Sequence, residues 1–128
     1  MVVALYAGLL ALWLIILSMR VIALRGNPAF RWFAFGHNDA AALERAIRGH
    51  GNLTEYAPFF LILMLLVEMT SGVSAGLHAY GIAFLLGRVM HGLCFGFMTK
   101  NLMLRVGGTV LTLFSILGLA VQLLRAWI

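Results

Sequence analysis

The chain has 128 residues, 63% of them hydrophobic and 10% charged, with a formal net charge of +5 and a mean hydropathy of +1.03. A soluble domain averages roughly 25% charged residues, so this chain lacks the polar surface of a soluble enzyme, a disordered segment or a nucleic-acid reader. What remains is a membrane protein of one small bundle.

The first apolar run, residues 2–19, is uncharged up to Arg20 and approaches the roughly 20 residues that cross a bilayer as a helix. No basic stretch precedes it, so it is expected to stay as helix 1 and not to act as a signal peptide. Asn27–Pro28 should break that helix. Phe30, Trp32, Phe33 and Phe35 suit the headgroup level just beyond it. Asn38–Asp39 can cap helix 2. The apolar part of helix 2, residues 57–67, is boxed by Glu55 and Glu68 and would rise only about 16 Å. It can span only if its helix carries Glu55, and residues back toward Glu44, into the bundle. A hairpin that dips in and returns would leave the other helices without a partner. Residues 69–87, extended past Arg88 to Thr99, make a third span, and residues 106–124, ending at Arg125, a fourth.

The runs are continuous and not alternating, which excludes a β-barrel. The expected architecture is all-α: a single four-transmembrane-helix domain over residues 1–128, with helices near 2–24, 39–69, 74–98 and 104–127. No solenoid repeat or low-complexity segment is visible. The lone cysteine allows no internal disulfide, and Cys94 reads as a packing residue.

Charge sets the expected orientation. Arg20, Arg25, Arg31, Arg45, Arg48, Lys100 and Arg105 flank the first and third connections, while Arg125 stands alone at the other end. The positive-inside rule then places both termini on the non-cytoplasmic side and any site among those arginines toward the cytoplasm. None of these basic residues forms a run that would track a nucleic-acid backbone. Glu68 and His78 are expected to face water at the far end.

The informative stretch lies in helix 2. Arg48, Asn52, Glu55 and Tyr56 are spaced to share one helical face. An ionised side chain at the centre of a membrane helix costs roughly 2.5–3.5 kcal/mol on insertion scales, so this stripe is expected to face protein or a water-filled cavity. Helix 3 offers Arg88 and His91, one turn apart, and Arg105 opens helix 4. Arg48, Arg88 and Arg105 are expected to converge around Glu55, leaving net positive charge suited to an anionic ligand. A structural Arg–Glu bridge would account for one pair, but not for the other arginines, Asn52, Tyr56 and His91. Pro58 should kink helix 2. Gly92 and Gly96, with Gly81 and Gly87 upstream, read as close helix packing. His37, His50, His78 and His91 lack metal-ligand spacing, so no metal is expected.

Glu44-Arg45-(x2)-Arg48-(x3)-Asn52-(x2)-Glu55-Tyr56-(x)-Pro58 resembles the helix 2 signature of the MAPEG family, the membrane-associated proteins in eicosanoid and glutathione metabolism. The resemblance extends over essentially the whole chain and implies a homotrimer holding glutathione between neighbouring subunits at the cytoplasmic side. It implies that Arg48 binds a glutathione carboxylate and that Asn52, Glu55 and Tyr56 hold the peptide and amino ends. Arg88 and His91 would line the same site, His50 occupies a position that is often Gln, and Arg105 is the nearest candidate to stabilise the thiolate. The sequence departs from several animal members by placing Phe95 where they carry a second tyrosine of helix 3. Gly49 and Gly51 each weaken helix 2 by about 1 kcal/mol relative to Ala.

The expected function is a glutathione-dependent transferase or peroxidase acting on membrane-dissolved hydrophobic electrophiles or lipid hydroperoxides. The alternative is a non-catalytic lipid- or glutathione-binding member of the same family. A proton-coupled four-helix exporter is disfavoured because helix 1 has no acid and arginines surround Glu55, opposing proton exchange.

Overall fold

The computed structural model describes Met1–Ile128. It contains α1 (Val2–Leu24), a 3-10 turn (Pro28–Phe33), α2 (Ala40–Ser71), α3 (Ala75–Phe97) and α4 (Leu102–Arg125). All four α-helices are long and apolar enough to cross a membrane, and there are no strands. At about 1.5 Å per residue, the 32 residues of α2 exceed the length of the bilayer core. One end therefore projects beyond it, which explains how so short an apolar run spans.

Side chains define the helix starts. Asp39 accepts from the amide of Ala42 at 2.8 Å, Ser74 from that of Leu77 at 3.1 Å and Asn101 from that of Leu104 at 3.0 Å. Each satisfies one of the amides that a first turn leaves without an intrahelical partner. Helix α4 begins at Leu102, two residues earlier than expected from the apolar run, because Asn101 caps it there. The α2–α3 connection turns at Gly72, whose φ of 74° favours glycine. Pro58 lies inside an uninterrupted α2.

Helices α2 and α3 each pack against both α1 and α4, whereas α1 and α4 do not touch. The rings of Phe60 and Phe84 stack at 3.8 Å where α2 meets α3. Glycines of α3 bring its neighbours close. Gly81 lies under the ring of Tyr6, Gly92 under Trp13 and Gly96 against Leu17, all on α1. On the other side Gly87 meets Gly108 of α4 so closely that a Cβ on Gly108 would stand 2.7 Å from the Gly87 carbonyl oxygen. Small residues at such crossings allow the van der Waals packing that holds helices together in lipid.

Two sequence expectations are refined. Glu68 and His78 stay partly exposed at the far end but are also tied to α1. The two carboxylate oxygens of Glu68 accept from the amides of Val2 and Val3, each at 2.8 Å, so α2 caps α1, which has no cap of its own. The Tyr6 hydroxyl donates to the His78 carbonyl at 3.0 Å and lies 3.2 Å from His78 Nδ1. Nor is Arg20 simply a flanking charge. It is buried at 1% exposure and donates to the carbonyls of Gly96, Phe33 and His37 at 2.8, 2.6 and 3.1 Å. Its guanidinium also lies over the rings of Phe35 and Phe97. Trp32 and Phe35 of the aromatic cluster are exposed, while Phe33 turns inward against Phe97.

Candidate functional site

A polar cleft of about 530 Å³ opens between α2, α3 and α4. Helix periodicity builds its wall: Arg48, Asn52 and Glu55 fall on the face of α2 that turns toward α3 and α4. Across from them stand His91 and Phe95 of α3, and Arg105 and Thr109 of α4. Thr109 donates its hydroxyl to the Arg105 carbonyl at 2.9 Å, so its side chain serves its own helix.

Arg88 lies buried behind this wall at 3% exposure. Its Nη1 donates to Asn52 Oδ1 at 2.7 Å, and its guanidinium lies between the rings of Tyr56 and Phe84, 5.2 and 5.9 Å from their centroids. Using its oxygen this way turns the Asn52 amide NH2 into the group left for a ligand. Arg88 Nε has no hydrogen-bond partner. On the α3 side the His91 ring stacks on Phe95 at 4.5 Å, and the Arg105 guanidinium lies 5.5 Å from the Phe95 centroid. Gly49 is what lets α2 approach: a Cβ there would stand 2.9 Å from that of Phe95.

Of the residues expected at the site, Arg48, Asn52, Glu55, His91 and Arg105 line the cleft, and Arg88 and Tyr56 form its backing. His50 does not join them. It turns to α1, where its Nε2 lies 3.0 Å from Ser18 Oγ, whose own proton goes to the Leu14 carbonyl. The expected convergence on Glu55 is also replaced by another arrangement. Arg48 pairs with Glu44 at 2.7 Å, the only ion pair in the chain, Arg88 is spent on Asn52, and Arg105 rests on Phe95. Both partners of the Arg48–Glu44 pair are about two-thirds exposed, so it contributes only about 0.3–0.5 kcal/mol and yields readily to a ligand. Glu55 has no basic group within ion-pair distance. Phe95 was legible only as a missing phenol, whereas it is the platform shared by His91 and Arg105.

Two arginines, an amide and an unpaired carboxylate thus face one cavity at the end of a four-helix, multi-pass integral membrane bundle. The chain matches the model of the MAPEG family over residues 3–125 and belongs to that family. It is 43% identical over 91 residues to the inner membrane protein YecN of Escherichia coli strain K12, covering 71% of this chain and 67% of that protein. The YecN protein of Escherichia coli O6:H1 strain CFT073 matches to the same extent. No solved structure matches the chain.

Proposed function

We propose that the protein is a glutathione-dependent membrane transferase or peroxidase acting on hydrophobic electrophiles or lipid hydroperoxides. The observation that carries this reading is the meeting of Arg48, Asn52, Glu55 and Arg105 in one cleft bounded by spanning helices. Glutathione has two carboxylates, one ammonium and two peptide links, and this donor set fits it. Arg48, released from Glu44, holds a carboxylate; Glu55 accepts the ammonium; the Asn52 amide meets a peptide carbonyl, with Arg88 and Tyr56 fixing its orientation. His50, held on Ser18, is left out of the set.

When bound, glutathione supplies a thiol nucleophile. A free thiol with pKa about 8.5 is mostly protonated at neutral pH. Arg105 favours the charged thiolate, and a guanidinium at about 4–6 Å can lower such a pKa by 1–3 units. Phe95 sets the guanidinium height, and His91 closes the cleft beside it.

The reading includes assembly as a homotrimer, with the site between neighbouring subunits and toward the cytoplasm. In a single chain Arg48 and Glu55 are exposed, and a neighbouring copy would remove them from contact with lipid. A second reading, binding without turnover, draws on the seat of Arg105 against Phe95, which holds the guanidinium on a ring in the absence of thiol.

Titration calorimetry on the detergent-purified protein tests the first step. Saturable glutathione binding should weaken at least about tenfold in Arg48→Ala, the loss of one charge-assisted contact. Turnover of an aromatic electrophile or a lipid hydroperoxide should fall about tenfold per pKa unit lost in Arg105→Ala, with binding retained. Unchanged turnover in Arg48→Ala overturns the proposal, and binding without turnover in the wild type selects the second reading.

A further inference from the structure

We propose that Arg45, Lys100 and Arg105 form a site for the phosphate of an anionic phospholipid, beside the cleft but distinct from it. A second cavity, of about 90 Å³, lies where the α3–α4 connection folds against α2. These three cations line it and no carboxylate does. The only ion pair in the chain is Arg48–Glu44, so none of the three has an acid within reach. Arg45 Nε is buried without a hydrogen-bond partner. Buried donors in native proteins are nearly always paired, and an oxyanion in this cavity would pair this one. Cys94 also borders it, but its thiol donates to the Asn101 carbonyl at 3.3 Å and is a wall of the cavity.

Size separates the two cavities. The smaller has about 90 Å³ against about 530 Å³ for the cleft, room for one tetrahedral oxyanion and not for a tripeptide. Position selects the source of that oxyanion. The cavity lies at the end of spanning helices, and from it Leu102, Met103 and Val106 of α4 run outward at 68%, 80% and 50% exposure. A headgroup phosphate seated on the cations would lay its acyl chains over these side chains. Guanidinium groups bind phosphate through paired hydrogen bonds, and basic pockets between membrane helices on the cytoplasmic side are suited to anionic headgroups. This site stands whether or not the cleft takes glutathione. Arg105 lines both cavities, so the test leaves it in place.

Native mass spectrometry of the detergent-purified full chain, incubated with phosphatidylglycerol or phosphatidylcholine, gives the measurement. Phosphatidylglycerol should be retained in preference. The preference should fall about fivefold for each cation removed, in Lys100→Gln and then in Arg45→Gln/Lys100→Gln. Lys100 is exposed in the connection, so its single variant keeps the test valid if the double variant does not fold. Equal retention of the two lipids overturns the proposal. So does a preference that survives both variants, or one lost only in Arg125→Gln at the opposite end of the bundle. Displacement of phosphatidylglycerol by millimolar inorganic phosphate also overturns it, by making the site one for a soluble anion.

Discussion

Arg20 shows how much a single side chain can organise. Its three carbonyl acceptors come from the end of α3, the 3-10 turn and the segment that leads into α2. Among hydrogen bonds, only those of Arg20 join these three, beside the stacking of Phe97 on Phe33 and Phe35. Hydrogen bonds made by a charged group contribute about 1.5–3 kcal/mol each, so Arg20→Ala should cost about 3 kcal/mol or more. A lowered thermal midpoint in detergent, with faster tryptic cleavage at Arg25 and Arg31, would report it. Arg20→Lys should recover only part, because an ammonium cannot present the guanidinium fork. In the sequence Arg20 is one more basic residue after an apolar run, and nothing local separates it from Arg25. Its role depends on carbonyls that lie 13, 17 and 76 residues further along the chain. The same holds for His50, whose neighbours in the chain suggest a ligand-facing residue but whose angle around α2 delivers it to Ser18.

At the level of elements, helix number and order were legible because the uncharged runs are long and bounded by charge. Asp39 was readable as a cap from position alone. The phase between helices was not, since it depends on side chains far apart in sequence. Glu68 meeting Val2 and Val3 across 66 and 65 positions is the clearest case. The glycines were readable as packing residues, though not as to which partner each would meet. That detail has a measurable result at the α3–α4 crossing. A Cβ on Gly108 would meet backbone, the Gly87 oxygen at 2.7 Å and His91 N at 3.0 Å, and neither can rotate away. Gly108→Ala should therefore push the helices apart and cost about 1–3 kcal/mol, seen as a lower unfolding midpoint. Gly51→Ala, with nothing within 4 Å of the new Cβ, should instead stabilise by up to about 1 kcal/mol. Because His91 sits beside Gly108, the first change should also disturb the cleft.

For the whole molecule, the distribution of charge makes two statements that experiment can separate. Seven basic residues cluster about the first and third connections, against Arg125 at the other end. In a Cys94→Ala background, a membrane-impermeant thiol reagent applied from the non-cytoplasmic side should label Arg125→Cys and spare Lys100→Cys. Labelling of the latter would reverse the proposed orientation. Assembly is a separate matter. Exposed Leu102, Val106, Val110, Leu113, Leu117 and Leu124 along α4 suit hydrocarbon, whereas exposed Glu55 does not. Native mass spectrometry should find three copies, and a stable monomer would leave Glu55 against lipid and remove the shared site. The sequence carried the polarity of the α2 stripe plainly. What would cover the exposed part of that stripe is proposed from family resemblance, because composition says that a polar face needs company and not what provides it.

The bond between Asn52 and Arg88 also bears on how the chain enters the membrane. Its two ends lie 36 residues apart, and at about 5–20 residues per second Asn52 is synthesised about 2–7 s before Arg88. During that interval Asn52 lacks its later partner, and Arg48 and Glu55 have no α3 or α4 to shelter them. Stable lateral release of α2 into lipid is therefore disfavoured until α3 arrives, and the two helices should leave the insertion machinery as a pair. The polar wall that shapes the mature cleft would thus also time the release of α2 during biogenesis.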